Sequence, residues 1–511
     1  MIRQRVRFVT NALFGSWPGW VQTGAAFGLG AVIASGQAPL DFWRLALVGL
    51  FAALLLIAGA PVAGAAGWFG LFLGAGYFIL ALSWIVEPFL IEPDVYAWMI
   101  PFVLILMPFG LGLFWAAASW AAHRLGQGRT TRVLWLALLL TLAEMARGYV
   151  FTGFPWALLG HIWIDTPMIQ AAAFVGAGGL TALTLLVAAL PAAFGWRTSA
   201  LSILILFGLY LYGDDLASPP FAKDPAIVRL VQPNAEQHLK WDPDRARLYF
   251  DRLTELSAAQ VAPTDPRPDL IVWPETSVPY LLNDNPGLVQ AIARAGRGAQ
   301  MAVGIQRVIG NRGFNSMAVI TPDGDIAQIY DKHHLVPFGE YIPFGDLAFR
   351  LFGITAFAAQ QGAGYSAGPG AAVLDLGPRL GRALPLICYE AVFPQDLRAA
   401  ARRADWILHI TNDAWFGTLT GPWQHLAQAR LRAVENGLPV LRAANTGISA
   451  VIDARGRVIA GLPLGRADYI DAPLPPPLPP TFYARHGDLP VVLLLLGLAM
   501  CLLLTRRLAK A

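Results

Sequence analysis

Long apolar segments dominate the first 215 residues, and most charged positions there lie in the short stretches between them. Seven such segments lie in this region and an eighth lies near the C-terminus, at about 18–35, 45–60, 64–86, 96–122, 133–147, 168–192, 198–213 and 489–504. A membrane-spanning helix needs roughly 17–25 apolar residues. Buried helices of a water-soluble core are the alternative, but no polar partner segments separate the runs. The pattern therefore predicts seven spans in residues 1–215 and an eighth span at 489–505.

The pattern changes at Pro225, where short apolar runs begin to alternate with amphipathic stretches. Predicted strands lie at 227–231, 270–273, 302–305, 373–376, 383–387 and 406–410, and predicted helices at 245–259, 286–297, 394–403 and 423–436. Turn signals at 322–324 and 454–456 predict two β-hairpins, 316–320 with 326–330 and 448–453 with 457–459. About 250 residues of this type can bury a core of their own. We expect an α/β domain at 222–472, a stiff Pro-rich linker at 473–488 and a tail at 506–511.

Charge agrees with a membrane location for the apolar runs. The chain has 14% charged residues, whereas ordinary soluble chains carry about 25%. Basic residues precede the first run, follow the last, and lie between runs four and five and runs six and seven: Arg3, Arg5, Arg7, Arg124, Arg129, Arg132, Arg197, Arg506, Arg507 and Lys510. Because Lys and Arg favour the cytoplasmic side, both termini are expected there and the α/β domain outside; Arg44 is the exception. Topology thus accounts for the net charge of +4, and no nucleic-acid partner is expected.

Two features of the apolar region leave alternatives open. Residues 1–35 also read as a cleavable signal peptide; we favour a retained first span, and the topology is the same in both cases. Glu144 and Arg147 are three residues apart in the fifth run, so they can pair on one helix face. The aromatic loop at 148–156 that follows is either an interfacial belt or a lipid-facing floor for the outer domain.

One cysteine stands where a nucleophile is plausible. Cys388 follows the apolar run 383–387, and the other cysteine, Cys501, lies in the last apolar run. A buried structural cysteine is the alternative, but Glu275 and Lys332 also come just after predicted strands. Because strand ends on one edge of a sheet converge, the three side chains can share a pocket. There a carboxylate can accept the thiol proton, a lysine can lower the thiol pKa and stabilise an oxyanion, and the thiolate can form a thioester.

Motifs around these residues resemble the nitrilase (carbon–nitrogen hydrolase) superfamily: Trp273-Pro274-Glu275, residues 331–340 and Ile387-Cys388-Tyr389-Glu390. Over nearly the whole chain, the apolar runs and the motifs at 152–156, 412–417 and 421–425 resemble its apolipoprotein N-acyltransferase branch. The resemblance implies an αββα sandwich in the periplasm, carried by a helical bundle in the bacterial inner membrane. It implies that Cys388 takes a fatty acyl chain from a membrane phospholipid as a thioester. The chain then passes to the N-terminal amine of the diacylglyceryl-cysteine of a lipoprotein.

The resemblance also implies roles for individual residues. Glu275 would be the general base and then the acid, Lys332 with the Tyr389 N–H would stabilise the oxyanion, and Glu340 would orient Lys332 or the incoming amine. Tyr389, Glu390 and Asn412 would support the site. Trp241 and Trp415 would line the acyl or headgroup pocket, with core packing as the alternative. No cofactor or metal is expected, and we expect a monomer.

An apolar connection from Phe344 to Tyr365 is suited to cover the thioester. Its aromatic positions are Phe344, Phe349, Phe352 and Phe357. We expect this segment to be a lid, an anchor that dips into the membrane, or both.

Other functions remain open at this point. A membrane-anchored amidase would use the same three residues and release free acid from small amides. A transporter would carry ionisable or unwound segments in several spans, whereas only Glu144 and Arg147 are clear candidates. An inactive, binding-only domain is disfavoured because Glu275, Lys332 and Cys388 are all present.

Reporter fusions test the predicted topology. A fusion after Arg129 should report a cytoplasmic position and one after Pro220 an outer position, because the positive-inside pattern places them on opposite sides. Matching signals from the two fusions would contradict the arrangement of seven spans, an outer domain and an eighth span.

Overall fold

The computed structural model describes residues 18–262, 266–283, 285, 287–342 and 364–508. The chain forms two compact units. One, the helical unit, comprises Met1–Leu216, Leu419–Ala427 and Thr481–Ala511. The other, the α/β unit, comprises Ala217–Thr418 and Gln428–Pro480.

The helices follow the predicted apolar runs and amphipathic stretches, except for the short helices Pro93–Tyr96, where a loop was predicted, and Phe482–His486, which lies in the predicted linker. In chain order they are α1 (Gly19–Ala34), α2 (Trp43–Ala58), α3 (Ala63–Ala81), α4 (Pro93–Tyr96), α5 (Ile100–Leu125), α6 (Arg129–Arg147), α7 (Ala172–Phe194), α8 (Ser199–Asp214), α9 (Pro243–Ser257), α10 (Leu288–Gly296), α11 (Pro394–Arg398), α12 (Gly421–Asn436), α13 (Phe482–His486) and α14 (Leu489–Leu508). The predicted helix at 394–403 is shorter than expected, because only α11 forms there.

Among the described residues, four segments are long and apolar enough to cross a membrane. They are Ala63–Ala81, Pro93–Leu125, Pro167–Phe194 and Leu489–Leu508, and α1 and α2 are shorter apolar helices. Two other predicted spans differ in type. α6 carries charged residues at both ends, and α8 has 16 residues, about 24 Å of helix against a hydrocarbon core of about 30 Å. The helices are those of a membrane protein, and the count of eight spans stays a prediction.

The predicted pair in α6 is confirmed. Arg147 Nη2 lies 3.0 Å from Glu144 Oε2, and both side chains are buried. Trp115 Nε1 donates to Glu144 Oε1 at 2.8 Å, and Arg147 donates to the carbonyl of Trp156 at 2.8 Å. The pair therefore fastens the aromatic loop at 148–156 to the helix that precedes it.

The aromatic loop serves two purposes rather than one. Phe151 is 97% exposed, whereas Trp156 is fully buried. Trp156 Nε1 donates to Gln424 Oε1 at 2.7 Å, and Gln424 Nε2 donates to the carbonyl of Ala81 at 3.0 Å. The tip of the loop is thus available to lipid, while Trp156 belongs to the core of the helical unit.

The α/β unit contains two six-stranded sheets. The strands are β1 (Ile227–Gln232), β2 (Leu270–Val272), β3 (Gln300–Ile309), β4 (Arg312–Ile320), β5 (Ile326–Asp331), β6 (Leu374–Asp375), β7 (Arg382–Ile387), β8 (Trp406–Thr411), β9 (Val440–Ala444), β10 (Ser449–Ile452), β11 (Val458–Leu462) and β12 (Asp468–Pro473). The first sheet has the order β12-β1-β2-β3-β4-β5 and the second β11-β10-β9-β8-β7-β6. Neighbours β1-β2-β3 and β7-β8-β9 are parallel. The predicted α/β sandwich and both hairpins are confirmed.

Strands β9 and β12 are absent from the predicted set. The sequence of β9 carries a buried Arg442 in mid-strand, and β12 has an aspartate at its first and fourth positions. Pro473, assigned to the linker, ends β12. Beyond it, Leu474 N–H donates to Ala226 O at 2.8 Å and Leu478 N–H to Gly437 O at 2.9 Å. The Pro-rich stretch is therefore strapped to the α/β unit and is not a free spacer.

An apolar core fixes the strand that leads to the first candidate residue. It includes Leu253 from α9, Ile292 from α10, and Val231, Ile271, Trp273 and Met301 from the first sheet and its edge. The indole Nε1 of Trp273 donates to Ser257 Oγ at 2.7 Å, which satisfies its one polar atom inside this core. The backbone that leads to Glu275, two residues further on, is therefore held in place by this core.

Replacement of Arg147 by Met should destabilise the helical unit strongly. The Glu144 carboxylate would stay buried without its cation, which costs about 3–5 kcal/mol in comparable pairs. Thermal unfolding of the detergent-solubilised chain measures this loss. Arg197→Met, at an exposed position, is the matched control, and the double change Glu144→Gln with Arg147→Met should recover part of the stability. Equal melting temperatures for Arg147→Met and Arg197→Met would contradict the assignment.

Candidate active site

Three loops that each follow a strand hold the predicted catalytic side chains. Glu275 follows β2, Lys332 follows β5 and Cys388 follows β7, and all three side chains are buried. Each loop has a residue with positive φ that is not glycine: Thr276 (42°), Phe338 (63°) and Cys388 itself (52°). Such conformations are unfavourable, especially for β-branched Thr276, and cluster at functional sites.

The expectation that one sheet edge supplies all three residues is wrong. Glu275 and Lys332 come from the first sheet and Cys388 from the second. The two sheets meet at these ends, because the backbone N–H of Asn412, just past β8 of the second sheet, donates to Glu275 Oε2 at 2.9 Å. Sequence spacing could not reveal this division, since each strand end looks the same whichever sheet it joins.

Lys332 lies between two carboxylates. Its Nζ is 2.9 Å from Glu340 Oε1 and 3.3 Å from Glu275 Oε1. Burial acts to lower the pKa of Lys332, but Glu340, Glu275 and the nearby Cys388 outweigh it and raise that pKa well above its usual value. Burial raises the pKa of Glu340, although Lys332 opposes the shift. Lys332 therefore carries a permanent positive charge in the site.

Glu275 is held by three donors. Besides Lys332 and the Asn412 N–H, Asn315 Nδ2 donates to Glu275 Oε1 at 2.7 Å. A carboxylate has about four acceptor positions, so a further proton donor can be accommodated. Gly304 on β3 makes the close approach of this turn possible, because a Cβ there would lie 2.2 Å from Pro274 O and 2.6 Å from Glu275 Cα.

The Cys388 thiol is protonated in the resting site. Burial raises the pKa of Cys388 well above its ordinary value, and the Glu275 carboxylate raises it further, while Lys332 and the hydrogen bond between Cys388 and Thr411 oppose the shift. Lys332 lowers the pKa of Cys388, as predicted, but burial and the Glu275 carboxylate raise that pKa by more. The thiolate therefore has to be formed during the reaction, by proton transfer to a base.

A buried polar network lies behind Cys388. His409 Nε2 is 3.2 Å from the carbonyl oxygen of Cys388, and Arg442 contacts both His409, at 3.1 Å, and Asp413. Thr411 Oγ1 donates to Asp413 Oδ1 at 3.0 Å. These residues fix the turn that carries the nucleophile, and they were not predicted as site residues. Their signal in the sequence is polar side chains in the otherwise apolar strands β8 and β9.

Glu390 ties the Cys388 turn to the Lys332 loop. Its Oε2 accepts from the N–H of Ile387 at 2.8 Å, and its Oε1 accepts from the N–H of His333 at 2.8 Å and from the Tyr330 hydroxyl at 2.9 Å. Burial acts to raise the pKa of Glu390, but the bonds from His333 and the backbone outweigh it and lower that pKa. The supporting role predicted for Glu390 thus has a concrete geometry.

The remaining predicted site residues differ in burial and in their contacts. Tyr389 is buried, with its ring 4.9 Å from that of Phe393. Asn412 Nδ2 donates to Gln237 Oε1 at 2.6 Å, and the half-buried Trp241 has its ring centroid 5.7 Å from Lys240 Nζ. Trp415 is half-buried on the short 3₁₀ helix Asp413–Phe416. The lid positions Phe344, Phe349, Phe352 and Phe357 lie outside the described residues.

Two buried residues beside Glu275 were missed. Asn315 on β4 bonds both Glu275 and, at 3.3 Å, Glu340. Lys240 Nζ donates to Thr276 Oγ1 at 2.9 Å and to the Glu275 carbonyl at 3.4 Å. An asparagine inside a buried strand was the available signal for Asn315. Lys240 lies in a short polar stretch without the periodicity of a helix or a strand, so the sequence offered no signal for it.

The arrangement provides a thiol, a carboxylate to receive its proton and a fixed cation for a developing oxyanion, which together suit acyl transfer through a covalent intermediate. Among the described residues, no cluster of His, Cys, Asp and Glu is suited to hold a metal ion.

Two family models match the chain, one in each part. Residues 228–478 match the carbon–nitrogen hydrolase family model, and residues 29–190 match the model of the apolipoprotein N-acyltransferase N-terminal domain. Proteins named apolipoprotein N-acyltransferase are similar along the whole chain. That of Bradyrhizobium diazoefficiens is 38% identical, covering 99% of each chain, and that of Brucella suis is 37% identical, covering 94% of each.

Two solved structures each match about half of this chain. A CN-hydrolase superfamily protein of Xanthomonas campestris is 23% identical with a TM-score of 0.34, covering 49% of this chain and 91% of its own. Nit3 of Saccharomyces cerevisiae, in the nitrilase superfamily, is 21% identical with a TM-score of 0.36, covering 51% of this chain and 93% of its own.

Thiol alkylation against pH should separate the two charged partners of Cys388. Glu275→Gln removes a negative charge that raises the thiol pKa, so the alkylation profile should move to lower pH. Lys332→Met removes a cation that lowers it, so the profile should move to higher pH. Single-turnover acylation should nevertheless fall in both, by about 100- to 10,000-fold without the base and about 100- to 1,000-fold without the oxyanion cation.

All variants are made in a Cys501→Ala background, so that only Cys388 reacts, with Lys223→Met, at an exposed lysine, as the control. If Lys332→Met left the alkylation profile in place, Lys332 would not act on Cys388 and the site as described would be wrong.

Proposed function

Because the chain belongs to the apolipoprotein N-acyltransferase family, we propose that it transfers a fatty acyl chain from a membrane phospholipid to the N-terminal amine of a lipoprotein. The acceptor amine is that of a diacylglyceryl-cysteine. The observation that supports this most directly is the full-length similarity to proteins of that name, together with a buried thiol beside a carboxylate and an ammonium.

The first half-reaction forms a thioester. The Cys388 thiol gives its proton to Glu275, and its sulfur attacks the ester carbonyl carbon of the phospholipid. The resulting oxyanion is stabilised by Lys332 and the backbone N–H of Tyr389. When the intermediate collapses, the ester C–O bond breaks, and the leaving alkoxide of the lysophospholipid takes the proton back from Glu275.

The second half-reaction uses the same residues in reverse. The neutral amine of the acceptor attacks the thioester carbonyl, Glu275 removes a proton from the nitrogen, and the C–S bond breaks. Cys388 leaves as a thiolate and regains its proton from Glu275. Glu340 keeps Lys332 in place through both steps, since its Oε1 lies 2.9 Å from the ammonium.

The domain arrangement and the membrane location that we propose suit substrates that are themselves embedded in a membrane. The domain plan is that predicted: seven spans in residues 1–215, a catalytic domain at 222–472 in the periplasm, and a last span at 489–505, in the bacterial inner membrane. Trp241 and Trp415 line the acyl or headgroup pocket. The chain acts as a monomer. Hydrolysis of small amides is not favoured, because the full-length relatives carry the acyltransferase name.

The intact mass of the purified chain tests the nucleophile. After incubation with phospholipid, wild type and Cys501→Ala should gain one acyl chain, and Cys388→Ala should gain none, because Cys388 is the thiol of the site. Addition of a diacylated lipopeptide should discharge the acyl chain onto the amine. An acyl adduct in Cys388→Ala would contradict the mechanism, and release of free fatty acid without transfer would favour the amidase.

A further inference from the structure

Lysine is rare in this chain. Only four of its 37 Lys and Arg residues are lysines: Lys223, Lys240, Lys332 and Lys510. Two of the four, Lys240 and Lys332, are buried beside Glu275. Arginine stays charged at any ordinary pH, whereas a buried lysine is a compact ammonium that can lose its proton. Half of the lysines of the chain therefore lie at this one place.

The environment of Lys240 indicates a function for this residue. Its side chain is 2% exposed, and no carboxylate in the described part of the chain forms an ion pair with it. Instead, its ammonium donates to Thr276 Oγ1 and to the backbone carbonyl of Glu275. A buried cation without a carboxylate partner is costly, so its presence calls for a compensating function.

The two acceptors belong to the turn that presents the base. Thr276 has φ of 42°, a conformation that a β-branched residue adopts only when its surroundings hold it. Three donors fix the carboxylate of Glu275, but they do not fix the peptide that carries it. Lys240 holds this peptide in place through its two hydrogen bonds. The segment that carries Lys240 also contains Gln237, whose side-chain oxygen accepts a hydrogen bond from the Asn412 amide.

We propose that the protonated form of Lys240 is the positioning group for the Glu275–Thr276 turn, and that acylation of Cys388 requires it. The proposal rests on the function proposed above and adds a residue to it. Neutral Lys240 can still donate a hydrogen bond, but a charge-assisted bond is roughly twice as strong. Loss of the proton would therefore loosen the turn.

The pH at which this happens can be stated. Burial lowers the pKa of Lys240 to about 8, and the Glu275 carboxylate, the titratable group that faces it, opposes this shift. Lys332 does not titrate in this range, because its pKa is raised well above the usual value. Lys240 is thus charged below about pH 8 and neutral above it, so acylation should decline on the alkaline side through Lys240 and not through Lys332.

Single-turnover acylation from phosphatidylglycerol micelles, followed by intact mass from about pH 6 to about pH 10, tests this. This donor has no amine, and the first half-reaction needs no acceptor amine, so neither titrates. Wild type should decline above about pH 8. Lys240→Met should be about 10- to 100-fold slower near neutral pH and lack the decline. Lys240→Arg should retain more activity and also lack it.

Two further variants complete the design. Thr276→Val removes one acceptor and should slow acylation while keeping the alkaline decline, and the exposed Lys223→Met should match wild type. If Lys240→Met fails to fold, as thermal unfolding would show, Lys240→Arg carries the test. An alkaline decline that persists in either Lys240 variant, or an unchanged rate in Lys240→Met, would overturn the proposal.

A second measurement does not depend on acyl transfer. With four lysines in the chain, ¹³C-labelled lysine gives few side-chain signals, and the signal lost in Lys240→Met is that of Lys240. It should titrate near pH 8. Titration at the usual lysine pKa of about 10.4 would overturn the proposal even in an active enzyme. Absence of any acyl-enzyme in wild type would instead refute the proposed function.

Discussion

Burial of the Lys332 ammonium against two carboxylates is the constraint on which the α/β unit depends. Charges removed from water are tolerated only when every one has partners of good geometry. Glu340 accepts from the Val336 N–H at 2.9 Å as well as from Lys332, and Glu275 accepts from Asn315 and from the Asn412 N–H. These donors come from β4 and from loops after β5 and β8. The charged cluster therefore requires both sheets to end at the same place.

The same burial decides the state of the nucleophile. In water a thiol beside a lysine would lose its proton more readily, but here desolvation and the Glu275 carboxylate outweigh the cation and raise the pKa of Cys388. In the proposed mechanism, the site therefore holds a thiol at rest and forms a thiolate only when Glu275 takes the proton. This explains why Glu275 is held so firmly: a base that must act at the moment of bond formation has to be correctly placed beforehand.

Much of the fold could be predicted from local pattern, and what could not is non-local. Long apolar runs predicted helices α1–α3 and α5–α8, and short apolar runs with turn signals predicted most strands, because these signals lie within a short stretch of sequence. β9 was missed because Arg442 interrupts its apolar pattern, and the partners of that arginine include Asp413 and His409 from elsewhere in the chain. The partition of strand ends between two sheets is likewise a pairing, which no single segment encodes. Glu275, Lys332 and Cys388 could be found because motif and strand end coincide, whereas Asn315 and Lys240 act on Glu275 from positions without a motif.

The buried charge clusters around Arg147 and around Lys332 serve different purposes. In the helical unit, Arg147 and Glu144 balance each other, and the pair fastens a loop. In the α/β unit, one ammonium faces two carboxylates, and burial raises the pKa of Glu340, so the cluster resists a further negative charge. A thiolate formed beside it is therefore disfavoured unless its charge moves on at once. Attack on a carbonyl does this: negative charge leaves sulfur for the carbonyl oxygen beside Lys332, which carries a full positive charge. The imbalance that keeps Cys388 a thiol at rest thus favours the transition state over the free thiolate, and catalysis of this kind lies in that difference.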